Sequence, residues 1–162
     1  MVDTRAFLPI LIFAAVYAAI ANDGLSVRPH LVKRIGGDEL PRAEQRRLMS
    51  QPTARLLTSM MKDVVSEGSG VLAQVPGYTV AGKTGTAAKA EPTGGYSNSR
   101  YVASFVGFAP ARSPRVVILV AVDEPEGDIY GSTVAAPAFA EIAKFALQYL
   151  DVPPDAPLDT SQ

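Results

Sequence analysis

Apolar residues fall along the chain in blocks whose spacing predicts alternating helical and extended segments. From Ile10 to Ile20 nearly every position is apolar, a distribution that wraps the whole circumference of a helix and predicts one packed on several sides. Asn22-Asp23-Gly24 stops it. Leu25 to Ile35 then reads as an extended segment, and Gly36-Gly37-Asp38 as a turn. Thr53 is placed to cap a second helix, on which Leu56, Leu57, Met60, Met61, Val64 and Val65 recur with the helical period until Gly68-Ser69-Gly70.

Beyond Pro76-Gly77 the runs become β-type: Tyr78 to Thr86, Tyr101 to Ala109 and Arg115 to Asp123. Residues 91–95 and 110–114 between them are turn-rich. The second connector is too short for a helical crossover, so the last two strands should pair antiparallel. Pro137 suits the first turn of a final helix, with Phe139, Ile142, Ala143, Ala146, Tyr149 and Leu150 as the stripe that lies on the sheet. The expected fold class is α+β, an antiparallel sheet with a C-terminal helix packed on it. Residues 151–162, with Pro153, Pro154 and Pro157, read as a disordered tail.

Composition removes several kinds of chemistry. The 162 residues suit one domain, and 48% of them are hydrophobic, enough to build a core. Fifteen Lys plus Arg against sixteen Asp plus Glu leave a net charge of -1, which gives no electrostatic case for nucleic acid or an anionic membrane surface. There is no cysteine, so thiolate nucleophiles and cysteine-ligated metals are excluded, and a single histidine, His30, excludes a multi-histidine site. His30 has no serine or carboxylate in a recognisable motif around it and reads as a bystander. Arg42 to Arg47 reads as a solvated helix face or loop. No metal or organic cofactor is expected. The apolar run Ala6 to Ala21, behind Arg5, resembles a signal peptide but flows directly into folded-looking sequence, so a buried helix is the preferred reading and no membrane anchor is expected.

Two motifs share one lysine. Gly77-Tyr78-Thr79-Val80-Ala81-Gly82-Lys83-Thr84 fits the phosphate-loop pattern. Such a loop requires a buried strand before its first glycine and a helix starting at the lysine. Here Pro76 closes the preceding run, Tyr78-Thr79-Val80 prefers an extended strand, and Gly85 is poor in a helix's first turn. The same lysine opens Lys83-Thr84-Gly85-Thr86, the K-T-G element of serine penicillin-binding proteins and β-lactamases. A literal S-x-x-K occurs at Ser59-Met60-Met61-Lys62. Its methionines belong to the apolar stripe, so Ser59 and Lys62 fall toward the outer face and read as a decoy.

From about Ala15 to Tyr149 the sequence resembles the C-terminal half of the class B penicillin-binding proteins, with the cell-division branch favoured over elongation. The stretches that carry the resemblance include Tyr17 to Gly24, Val27 to Val32, Pro76 to Ala87, Ser104 to Pro110, Val122 to Pro125, and Tyr130-Gly131 leading to Ala136-Pro137-Ala138-Phe139. The resemblance implies residues 15–150 as a partial transpeptidase domain, after an atypical start at 1–14. It implies catalytic Lys83, substrate binding by Thr84, Gly85 and Thr86, and an oxyanion donor in the Thr86 backbone N–H.

The implied ligands are the D-Ala-D-Ala stem peptide of peptidoglycan and β-lactams, bound by the parent domain on the extracytoplasmic side of the plasma membrane. The implied partners are the missing N-terminal half of the domain, with its S-x-x-K and S-x-N motifs, and divisome or elongation proteins. Neither motif stands here in its expected place, so the fragment is expected to be inactive alone. The rival readings are a phosphate-loop nucleotide-binding protein and a non-catalytic remnant or interaction module.

Overall fold

A computed structural model describes residues 4–32, 34–39 and 44–157. Helix α1 (Thr4–Ala21) is followed by a two-residue hairpin, β1 (Arg34–Ile35) and β2 (Asp38–Glu39), then by α2 (Gln51–Ser66) and a 3-10 turn at Val71–Ala73. Strands β3 (Ala81–Ala90), β4 (Tyr96–Ala109) and β5 (Val116–Asp123) form one antiparallel sheet in that order, and α3 (Gly131–Val134) and α4 (Ala136–Tyr149) complete the chain. The α+β architecture with a C-terminal helix on an antiparallel sheet is as the sequence predicts.

Side chains alternate across a strand, so the register sorts the sheet into two faces. Phe108 and Ala81 pack with Ile20 of α1 and Met61 of α2, while Phe105, Ile118 and Val120 pack with Phe139, Ala143 and Leu147 of α4. Helix α2 serves both clusters, through Met61 on one side and Val65 on the other.

Phe105 sits at the centre of the second cluster and its ring lies over the cross-strand pair Gly82 and Gly107. A Cβ at Gly82 would stand 2.4 Å from Phe105 Cζ, and one at Gly107 would stand 3.1 Å from Phe105 Cε1 and 2.7 Å from the Ala81 carbonyl oxygen. No side chain fits at either position. The ring also meets Phe139, centroid to centroid 4.7 Å at a tilt of 59°, an edge-to-face type of contact that adds to the area buried.

Several expectations are corrected. Leu25 to Ile35 is not one extended segment: it holds an isolated bridge from Leu25 to Arg47 and then the short β1. Helix α2 is capped by Ser50 and not Thr53, because the Ser50 hydroxyl accepts the Thr53 N–H at 3.2 Å and Pro52 occupies the first turn. Its buried residues are Ala54, Met61 and Val65, while Leu56 and Met60 are exposed. On α4 the buried line runs Ala136, Phe139, Ala143, Leu147, leaving Ile142 and Tyr149 outside. Helix α1 buries Ala19 and Ile20 where α2, β4 and β5 lie against it, but Phe13 is 60% exposed. The solvated reading of Arg42 to Arg47 holds where the structure describes it: the first two residues lie outside the described ones, and Glu44 to Arg47 is an exposed, non-helical stretch.

The expected disordered tail is laid down over 151–157. Val152 is buried and its carbonyl accepts the Tyr78 hydroxyl at 2.6 Å. The Asp155 carboxylate accepts both the N–H and the hydroxyl of Thr79, and the backbone N–H groups of Asp155 and Ala156 donate to the Gly77 carbonyl. This clasp explains why β3 starts at Ala81 and not at Tyr78: the Thr79 N–H is taken by Asp155. Residues 158–162 lie outside the described ones.

Three outcomes follow from this packing. Gly82→Ala should destabilise by about 3 kcal/mol, since the new methyl must displace the Phe105 ring, and an unchanged urea midpoint would contradict it. Asp155→Ala should cost about 2 kcal/mol through loss of two charge-assisted hydrogen bonds, and denaturation with an unchanged midpoint would show the clasp to be idle. The exposed Ile12, Phe13, Val16, Leu56 and Met60 should make the 162-residue chain bind a hydrophobic dye and self-associate. A monodisperse monomer that leaves the dye dark would contradict that.

Candidate functional site

Strand β3 is an edge of the sheet among the described residues, and Lys83 to Thr86 lie within it, opposite Val106, Phe105, Ser104 and Ala103 of β4. No helix begins at Lys83. Gly77 sits in a tight turn with φ +81°, spanned by the Val75–Tyr78 bridge, and not behind a buried strand. The phosphate-loop reading therefore has neither of the elements it needs.

Alternation divides the four residues. Lys83 and Gly85 share the face of Val106 and Ser104, and Thr84 and Thr86 share that of Phe105 and Ala103. The Lys83 ammonium is exposed and turns along the edge, donating to the Thr84 carbonyl at 3.1 Å and reaching the Thr84 hydroxyl at 3.4 Å. The Thr84 hydroxyl is 2.9 Å from that of Ser69, on the loop after α2. Thr86 Oγ1 accepts the Gly131 N–H at 3.2 Å. A Cβ at Gly85 would stand 2.6 Å from Ser104 Oγ, so a side chain there would need the Ser104 hydroxyl to swing aside.

Gly131 is pressed onto the same strands: a Cβ there would come within 2.2 Å of the Ser104 carbonyl oxygen and 2.5 Å of that of Gly85. The segment that delivers it is pinned by Asp128, whose carboxylate accepts the Tyr130 N–H at 3.0 Å. That hydrogen bond is the main cause holding the Asp128 carboxyl below its ordinary pKa.

Charge is distributed unevenly along β3. Lys89 donates to Asp123 at 2.9 Å and to Glu124 at 2.7 Å, and the Glu124 bond leads in raising its pKa. Arg100 is paired with Glu91 at 2.7 Å. Lys83, in contrast, meets no carboxylate among the described residues. An exposed ammonium beside two hydroxyl groups, with no anion to neutralise it, is chemically an anion-binding edge.

Ser59 is exposed on α2 and, with Lys62, lines a cleft shared with Asp23, Arg55 and Arg112 and with no residue of β3. His30 is exposed, with Nδ1 3.2 Å from the Arg28 carbonyl oxygen. Among the described residues no three metal-ligating side chains cluster and no helix is long and apolar enough to cross a membrane. Sequence reasoning placed the Lys83–Thr86 strand but missed Ser69 as its neighbour, although Gly68-Ser69-Gly70 stood out as a helix stop. Tyr130-Gly131 was visible only as part of the family resemblance.

Comparison with known proteins gives the family to which this fold belongs. The family model described as penicillin binding protein transpeptidase domain matches residues 11–144. Penicillin-binding protein PbpB of Mycolicibacterium smegmatis is 41% identical over 161 residues, which cover 90% of this chain and 25% of that protein. The probable peptidoglycan D,D-transpeptidase PbpC of Pseudomonas aeruginosa is 40% identical, over 88% of this chain and 24% of its own length. Among solved structures, penicillin-binding protein 3 of Mycobacterium tuberculosis in complex with aztreonam superposes with a TM-score of 0.79 at 38% identity, over 92% of this chain and 37% of that one. The transpeptidase domain of Burkholderia pseudomallei penicillin-binding protein 3 gives 0.78 at 40% identity, over 91% and 44%. The chain thus spans about a quarter of the length of the curated relatives it matches. Fold and sequence agree, and the chain belongs to the transpeptidase-domain family of the class B penicillin-binding proteins.

Proposed function

We propose that this chain supplies the substrate-binding strand of a D,D-transpeptidase that cross-links peptidoglycan during cell division. The observation that carries the reading is the edge of β3, where Lys83, Thr84 and Thr86 offer an ammonium and two hydroxyls with no neighbouring carboxylate among the described residues. A terminal carboxylate is the ligand such an edge suits, and D-Ala-D-Ala and β-lactams both carry one.

In the proposed reaction a serine from the remainder of the transpeptidase domain attacks the carbonyl between the two D-alanines. The C–N bond breaks, the serine proton passes to the leaving amine, and D-alanine departs with its carboxylate. An amine of a neighbouring stem then attacks the ester, forming the cross-link and returning the proton to the serine. A β-lactam acylates the same serine by ring opening, so its amine stays tethered.

Lys83 is assigned the electrostatic hold on the substrate anion and on the proton in transit. Thr84 and Thr86 are assigned hydrogen bonds to the carboxylate, and the Thr86 backbone N–H one donor to the oxyanion. Gly85, bare on the face it shares with Ser104, lets substrate lie against the strand. No cofactor takes part. The site works on the extracytoplasmic side of the plasma membrane, with divisome proteins as partners.

Acylation by a fluorescent penicillin tests this reading. The 162 residues on their own should stay unlabelled, and Ser59→Ala should change nothing. Spliced in place of its counterpart in PbpB of Mycolicibacterium smegmatis, the segment should support labelling, and Lys83→Ala should slow it about 10²-fold or more. Labelling of the isolated chain that vanishes with Ser59→Ala would make Ser59 the nucleophile. An unlabelled chimaera, or one indifferent to Lys83→Ala, would favour a non-catalytic module.

A further inference from the structure

We infer that Ser69 is a positioning residue for the anion-binding edge: its hydroxyl fixes the direction in which the Thr84 hydroxyl donates, and so tunes the site for a ligand carboxylate. The inference rests on the transpeptidase reading above and names a residue outside the Lys83–Thr86 motif.

The first support is that the loop carrying Ser69 is fixed in place. A Cβ at Gly68 would stand 2.9 Å from the Val64 carbonyl oxygen, and one at Gly70 would stand 3.1 Å from that oxygen and 3.2 Å from Phe105 Cε2. The Gly70 N–H donates to the same carbonyl at 2.8 Å. The two glycines let the loop turn tightly against the last turns of α2 and the edge of Phe105. Ser69 between them is exposed, yet its backbone is held.

The second support is the proton count around Thr84 Oγ1. A hydroxyl oxygen has two acceptor positions and one proton to give. An ammonium can only donate, so the Lys83 contact at 3.4 Å occupies one acceptor position. Ser69 Oγ at 2.9 Å is the other neighbour. When Ser69 donates, both acceptor positions are filled and the Thr84 proton has to point away from the protein, toward the free edge. The edge then presents a hydroxyl locked as a donor, which matches an anion. Without Ser69 the Thr84 hydroxyl rotates freely and presents a lone pair to the ligand part of the time.

Ser69 lies outside the reacting groups, so its loss should weaken binding of the anion more than it slows the chemical step. In the PbpB chimaera, labelling measured across penicillin concentrations separates the half-saturation concentration from the maximal acylation rate. Ser69→Ala should raise the half-saturation concentration about five- to tenfold, the worth of one orienting hydrogen bond, and leave the maximal rate within about twofold. Ser69→Thr, which keeps the hydroxyl, should restore it.

The penalty should disappear with the methyl ester of the same penicillin, whose carboxylate is blocked. The acid-to-ester ratio is taken within each variant, so a smaller folded fraction does not disturb it. An unchanged ratio in Ser69→Ala, or a loss confined to the maximal rate, would overturn the role of Ser69 while leaving the transpeptidase reading intact. An unlabelled wild-type chimaera, or one indifferent to Lys83→Ala, would overturn both.

Discussion

The packing of one ring, Phe105, over two facing glycines is the constraint on which the rest of the structure depends. The ring takes the space that side chains at Gly82 and Gly107 would need, touches Phe139 of α4, and bounds the loop at Gly70. Two strands, a helix and a loop thereby share one contact in a fully buried position. Interiors packed to crystal-like density do not absorb such a change by small adjustments. Gly82 stands immediately before Lys83, so the chemistry-bearing stretch begins where the strand is held most tightly.

From that anchor the strand divides its labour along its length. At the far end Lys89 is neutralised by Asp123 and Glu124, and Arg100 by Glu91, which ties the β3–β4 hairpin to the end of β5. Near the anchor, Lys83 meets no carboxylate among the described residues, while Thr84 and Thr86 are held by Ser69 and Gly131. The result is a rigid strand with one unneutralised, donor-rich edge. An ammonium and hydroxyl donors of this kind are suited to an anion. The segment that carries them covers about a quarter of the curated relatives.

Much of this was legible in the sequence because it is local. Turn residues and β-branched runs marked the three strands, and the poor fit of Gly85 to a helix start separated the Lys83 strand from a phosphate loop. Helix faces were less legible. The apolar stripes included Leu56, Met60, Ile142 and Tyr149, which stay exposed, and passed over Ala54, Ala136 and Leu147, which are buried. An alanine carries too little hydrophobicity to announce a close approach between elements. The clasp of Asp155 on Thr79 and the meeting of Ser69 with Thr84 join residues 76 and 15 positions apart. No local pattern encodes either, and a proline-rich tail gave the opposite impression of its own order.

The central claim is that the Lys83–Thr86 edge receives a carboxylate. The most direct measurement is a crystal structure of the PbpB chimaera acylated by a penicillin. The penicillin carboxylate should lie within hydrogen-bond distance of the Thr84 and Thr86 hydroxyls, with the Lys83 ammonium beside it and still within reach of the Thr84 hydroxyl. An acylated structure in which that carboxylate faces solvent or another element would contradict it.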